Sequence, residues 1–255
     1  MSKESIKIIL YQQHPGSRIS DHDKEIITAN RPDFVCLPEY FFVRSKNSDH
    51  LAEANYAREN VDEIQRLSIE LETCLIGGSI VEKVGKKYFN TCYVFERGKF
   101  IGSYSKIHLF HGEVRQGMSS GEKHQAFQCN GIRVGLLICA DVMYEDSFIE
   151  MRKFDCDIVF VPTTSPLRDE SAEEKMLRDE QIFVRGARVS GSYVAKCCAV
   201  GTIFTAPLQA RSLIAAPDKI VQRIPFADED KPMIMQETLS VDWIRNFKKK
   251  EPTGK

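Results

Sequence analysis

Cys139 closes an apolar run, residues 132–138, that is rich in β-branched side chains, and it precedes a stretch, 143–154, with helical spacing and acidic residues in its first turn. A thiol at such a strand-to-helix turn lies at the rim of a sheet beside helix-terminal N–H groups, a setting that suits a nucleophile. Taken alone, the stretch reads more simply as packing, because free cysteine is among the most buried residue types. Two other reactive side chains occupy the same kind of position. Glu39 follows the apolar run 33–37 and Pro38, and Lys106 follows the second arm of a hairpin over 87–104. A carboxylate beside a thiol takes its proton, and a lysine ammonium stabilises an oxyanion and keeps a nearby carboxylate ionised. Singly, Glu39 reads as a loop or capping carboxylate and Lys106 as a solvated lysine. Together, at three strand ends, they converge on one rim of a layered α/β fold, where sites form.

The elements that must hold them there follow from periodicity and punctuation. Strands are expected over 5–12, 33–37, 74–81, 87–96, 99–104, 125–128, 132–138, 157–161, 193–200, 210–216, 220–224 and 235–241. Helices are expected over 19–30, 56–72, 143–154 and 171–189, with loops at 45–54 and 111–123. Arg97-Gly98 and Asn130-Gly131 mark hairpin turns. Helices alternate with strands early in the chain, and later strands pair through hairpins, which predicts mixed sheets with helices outside them. No repeat or interdomain linker interrupts this order, so residues 1–245 are expected to form one domain, followed by a polar tail, 246–255.

Composition removes several function classes. The chain has 255 residues, 42% of them apolar, and a net charge of −1, so no basic footprint points to nucleic acid or an anionic membrane surface. No apolar run approaches the ~20 residues of a membrane span. Eight cysteines occur with no CxxC pair and no Cys/His spacing suited to zinc. A cytoplasmic protein with reduced thiols, without metal or organic cofactor, is the expectation.

The segments Leu37-Pro38-Glu39, Tyr104-Ser105-Lys106-Ile107-His108-Leu109-Phe110 and Val134-Gly135-Leu136-Leu137-Ile138-Cys139-Ala140-Asp141 together resemble the nitrilase, or carbon–nitrogen hydrolase, superfamily. Gly77-Gly78-Ser79, Asn90-Thr91, Ala187-Arg188 before Tyr193-Val194-Ala195, and Arg211-Ser212 leading to Pro217-Asp218 are further family-like pieces in family order, over roughly residues 5 to 242. The resemblance implies a four-layer αββα sandwich and a Glu39–Lys106–Cys139 triad. It implies a second glutamate in the loop after the lysine, for which Glu113 is the better match and Glu122 the alternative. Ala140, Tyr144, Thr163 and Thr164 are the expected substrate-binding positions, with Tyr40, Phe41 and Phe42 as pocket walls or core.

The chemistry so implied is thiol-dependent hydrolysis of a small linear amide or carbamoyl amine through a thioester. Water is the second substrate, and transfer of the acyl group to an amine stays open. Cys139-Ala140-Asp141 departs from the Cys-Trp-Glu usual in nitrilases, which favours an amide over a nitrile. A binding or regulatory subunit that keeps the fold without the chemistry is the alternative from another class, and the complete triad weighs against it. Members of the family pair across outer helices, so a homodimer is expected, using the helix after Cys139 and the helix ending near Val189.

Overall fold

The computed structural model describes residues 3–44 and 49–251. The first half of the chain runs β1 (Ser5–Gln12), α1 (Asp21–Asn30), β2 (Phe34–Cys36), α2 (Ala57–Glu70), β3 (Cys74–Ile76), β4 (Ile80–Val84), β5 (Lys87–Glu96), β6 (Lys99–Ser105), α3 (His111–Arg115), β7 (Ala126–Cys129) and β8 (Ile132–Leu136). The second half runs α4 (Glu145–Lys153), β9 (Ile158–Thr163), α5 (Ala172–Asp179), α6 (Arg185–Ser190), β10 (Tyr193–Cys198), β11 (Thr202–Ile203), β12 (Ala206–Pro207), β13 (Leu213–Ala216), β14 (Lys219–Arg223), β15 (Met233–Ser240) and α7 (Val241–Lys250). Two sheets result. One is ordered β15-β1-β2-β3-β5-β4, with β6 also on β5, and the other β14-β13-β10-β9-β8-β7. The central strands β1-β2-β3 and β8-β9-β10 pair in parallel, and the flanking ones are antiparallel.

Strand alternation builds four layers from this order. On β1, Ile6, Ile8 and Leu10 enter the core shared by the two sheets, with Phe34, Ile76, Val134, Phe160 and Ala195. The opposite residues Ile9 and Tyr11 pack with Ile27 of α1 and Ile64 and Leu67 of α2. On the second sheet, Val159, Val161 and Val194 turn outward to Phe148 and Met151 of α4 and Ala187 of α6. Strands buried on both faces read as unbroken apolar runs, and each fully buried Ile or Phe contributes about 1.5–3 kcal/mol by leaving water. The architecture is therefore the αββα sandwich.

Both expected turns have positive φ at each residue, 46° and 84° at Arg97-Gly98 and 51° and 75° at Asn130-Gly131, as two-residue hairpins require. The expected strand 74–81 is divided into β3 and β4. Gly78 has φ 67°, and a Cβ there would stand 2.2 Å from the Pro38 carbonyl oxygen, so this break seats the chain against the segment carrying Glu39. The expected helix 171–189 is three pieces, because a π turn, Glu180–Val184, separates α5 from α6. A Ser171–Glu174 capping box starts it. The helix expected from 143 starts later, at Glu145, after a 3-10 turn, Cys139–Met143. The expected loop 111–123 contains α3. Of the expected loop 45–54, residues 45–48 lie outside the described residues, and a 3-10 turn begins at Leu51. The expected tail from 246 is helical to Lys250 within α7, and Phe247 packs on the core; residues 252–255 lie outside the described residues. No helix among the described residues is long and apolar enough to cross a membrane.

Candidate active site

Glu39, Lys106 and Cys139 line one cavity of about 530 Å³, together with Glu113, Ala140, Thr163 and Thr164. Glu39 and Lys106 come from the first sheet's strand ends, Cys139 and Thr164 from those of the second. The cavity thus opens where two rims meet.

Glu39 is fully buried and held from four sides. Its Oε1 accepts from Lys106 Nζ at 2.8 Å and Asn90 Nδ2 at 2.9 Å. Its Oε2 accepts from the Thr164 backbone N–H at 2.8 Å and from the Thr164 hydroxyl. Lys106 Nζ also donates to Glu113 Oε2 at 2.7 Å. Burial alone would lower the pKa of Lys106, but the Glu39 carboxylate, with Cys139 and Glu113 behind it, outweighs burial and holds the pKa above its ordinary value.

Glu113 is 3% exposed. Its other oxygen takes the Tyr40 hydroxyl at 2.5 Å and Asn90 Nδ2 at 2.8 Å, and its Oε2 takes the Phe110 N–H at 2.8 Å. Burial would raise its pKa, yet the Lys106 ammonium outweighs this and the carboxyl is held below its usual range. Burial keeps the Tyr40 hydroxyl protonated, so it remains a donor. Glu122, the alternative, is exposed beside a different hollow. The geometry brings Glu113, not Glu122, to the lysine.

Cys139 adopts φ 45°, a left-handed conformation that non-glycine residues rarely hold and that recurs at functional turns. Its Sγ donates to the Thr164 carbonyl at 3.2 Å. Burial, then the Glu39 carboxylate, pushes the thiol pKa well up, so the resting group is a thiol and needs a base. Asp141 pins the turn. Its Oδ2 accepts from the Ile138 N–H at 2.9 Å and the Tyr104 hydroxyl at 2.8 Å, and its Oδ1 from the His108 N–H at 2.8 Å. One buried carboxylate thereby ties the cysteine turn to both flanks of Lys106.

Ala140 stands in the first helical turn after the thiol, where N–H groups lack intrahelical acceptors. Thr163 faces the cavity, with its hydroxyl bonded to the Val161 carbonyl at 3.0 Å. Tyr144 does not line the cavity. The 3-10 turn rotates it outward, where it is 48% exposed and stacks on His108 at 3.7 Å. Tyr40 is a wall, whereas Phe41 belongs to the core beneath α2. Asn90, the Tyr40 hydroxyl and the Asp141 pin were missed as site groups. The Asn90-Thr91 strand position was the one sequence signal for the first. Among the described residues, no group of three His, Cys, Asp or Glu side chains is placed to hold a metal ion.

A sequence profile described as carbon–nitrogen hydrolase matches residues 18–248. Omega-amidase NIT2 of Homo sapiens is 31% identical over 185 residues, which cover 63% of this chain and 65% of that protein. The chain thus spans under two thirds of this relative's length, and 56% of its Xenopus tropicalis counterpart's. Among solved structures, a carbon–nitrogen hydrolase from Helicobacter pylori superposes with a TM-score of 0.83 at 20% identity, covering 98% of this chain and 94% of that one. A mutant amidase from Nesterenkonia sp., with the acetamide moiety of fluoroacetamide covalently added at its active-site cysteine, superposes at 0.77 with 15% identity, covering 96% and 94%. At these identities the structural likeness concerns the fold alone.

Proposed function

The chain belongs to the carbon–nitrogen hydrolase family, and from that premise we propose that it hydrolyses a small linear amide through a thioester on Cys139, with residues 1–245 as one catalytic domain. The observation that carries this reading is the buried Lys106 ammonium bridging Glu39 and Glu113 in the cavity that Cys139 lines. The omega-amidase name of the sequence relatives supports an amide as substrate.

Glu39 takes the Cys139 proton as the sulfur bonds to the amide carbonyl carbon. The oxyanion is stabilised by the Lys106 ammonium and the Ala140 backbone N–H. The carbon–nitrogen bond then breaks, and Glu39 gives its proton to the departing nitrogen. Water adds to the thioester, losing a proton to Glu39. The carbon–sulfur bond breaks, the acid leaves, and the proton returns to sulfur. Glu113 keeps Lys106 oriented, and Thr164 keeps the Glu39 carboxylate turned toward the thiol.

Ammonia release measured over a panel of linear amides, carbamoyl amines and nitriles tests the reading. Turnover of amides above the other two classes is expected, and a preference for nitriles would overturn it.

We further propose a homodimer through the outer faces of α4 and α6, supported by family membership and by the exposed Ile149 on α4. Sedimentation at a single chain mass would contradict it. The eight free thiols support a reducing compartment, the cytoplasm, and recovery of a disulfide-linked secreted form would count against that.

A further inference from the structure

Asn90, on β5, is fully buried and bonds to all three charged residues that lie together at the site. Its backbone carbonyl accepts from the Lys106 N–H at 2.9 Å. Its Nδ2 donates to Glu39 Oε1 at 2.9 Å and to Glu113 Oε1 at 2.8 Å. Strand register puts it there. Asn90 lies opposite Val81 of β4, and the next residue, Thr91, lies opposite Ser105 at the end of β6. It is not on the cavity wall, so it meets a substrate only through the residues it holds.

Two buried carboxylates share one ammonium here. A primary amide gives a proton to each of them and adds no charge, whereas serine has one proton to give and aspartate would be a third carboxylate. The drawback is the amide's other end. Among the described residues Asn90 Oδ1 is buried without a donor, and an unpaired buried acceptor lowers stability. Turning the amide over would set that oxygen against two carboxylates, so the glutamates fix its orientation. Glu39 Oε1 accepts from Lys106 and Asn90, and Oε2 accepts from the N–H and the hydroxyl of Thr164. These donors fill the roughly four acceptor positions of a carboxylate, and of them only the Thr164 hydroxyl has lone pairs with which to accept in return.

We propose that Asn90 is a positioning residue that, with Lys106, closes Glu39 Oε1 to protons and so reserves Oε2 for the proton leaving the Cys139 sulfur. The S–H bond breaks, an O–H bond forms on Oε2, and the Thr164 hydroxyl turns to accept from it. The same amide holds Glu113 against the lysine. The titratable groups that face the two glutamates are Lys106, Tyr40, Cys139 and His50, and Asn90 holds both without titrating itself. The proposal rests on the hydrolase reading for the identity of the proton it directs.

Two measurements test it on wild-type protein, Asn90→Ser and Asn90→Ala. The first is kcat and KM for a linear amide between pH 5 and pH 9. Asn90→Ala should lower kcat about 10- to 100-fold, as expected on losing hydrogen bonds to charged groups, and Asn90→Ser, which keeps one donor, should lower it less. KM should stay within about threefold, because the lost contact is not with the substrate. The low-pH limb of kcat should move to higher pH in Asn90→Ala, since a carboxylate that loses a donor takes up its proton more readily. The second measurement is urea unfolding at pH 5 and pH 8. Asn90→Ala should lose more stability at pH 8 than at pH 5, because protonating a carboxylate relieves the loss. A raised KM with unchanged kcat, or a lowered kcat whose low-pH limb stays in place, would overturn the proposal. Equal loss of stability at both pH values would do the same, leaving Asn90 a packing residue. Should Asn90→Ala not fold, Asn90→Ser carries the same comparisons. If wild-type protein turns over no amide, the hydrolase reading falls, and the unfolding comparison still decides whether Asn90 holds the two carboxylates.

Discussion

Replacing Cys139 with alanine should reduce amide turnover roughly ten-thousandfold or more, the scale seen when a covalent nucleophile is removed. The fold should survive the change. The residue already holds φ 45° with a Cβ present, and alanine places the same Cβ there. Among the described residues the thiol's one hydrogen bond is a weak one to the Thr164 carbonyl, so the thermal midpoint should move by less than about 3 °C. Intact-mass measurement after brief exposure to an amide should find an acyl adduct on the native protein and none on Cys139→Ala. Iodoacetamide should reach Cys139 first, because the other seven cysteines are buried and this one is half-buried on a cavity wall. Its rate should climb with pH, since the thiol pKa is raised. Normal turnover by Cys139→Ala would end the covalent mechanism.

Lys106→Met should damage both rate and stability. The rate should fall at least about 100- to 1,000-fold, the usual effect of losing an oxyanion donor. Glu39 and Glu113, 0% and 3% exposed, would then face each other without the cation that separates them, and breaking such a buried cluster costs about 3–5 kcal/mol. The signs for the native protein are opposite at its two ends. Lys106 has a raised pKa, so its stabilisation is complete below its ordinary 10.5 and lost as pH rises through the higher folded value. Glu113 has a lowered pKa, so its stabilisation is present above its ordinary 4.5 and lost as pH falls through the lower folded value. The contribution of these two groups to native stability should therefore be level between these limits. In Lys106→Met, a proton taken up by either carboxylate relieves the repulsion, and stability should increase from pH 8 to pH 5. Urea unfolding at several pH values measures this, and a variant as stable as the native protein at pH 7 would remove Lys106 from its bridging role.

What could be read from the chain, and what could not, divides along a physical line. Glu39, Lys106 and Cys139 were legible because strand ends are set by local pattern, and reactive residues there are few. The sandwich was legible because β1 and β9 are apolar on both alternating faces. Hydrogen-bond partners were not legible, since they depend on register between distant strands. Asn90 reaches two glutamates only because β5 lies beside β3 and β4, and Asp141 reaches His108 only through the meeting of two sheets. Tyr144 was misplaced because a 3-10 turn advances the chain by a different angle per residue than the α-helix expected from 143.

The division of the site between two sheets also bears on the history of each molecule as it is made. Glu39 and Lys106 emerge during synthesis well before Cys139, and Thr164, which donates to the Glu39 carboxylate, emerges later still. A partly built chain that has made only β1 to β6 carries a carboxylate and an ammonium but no nucleophile beside them. Until the two rims meet, the Cys139 thiol has no carboxylate beside it. On the proposed mechanism neither part attacks an amide alone, so the nascent protein should gain its reactivity only when the two sheets close on one another.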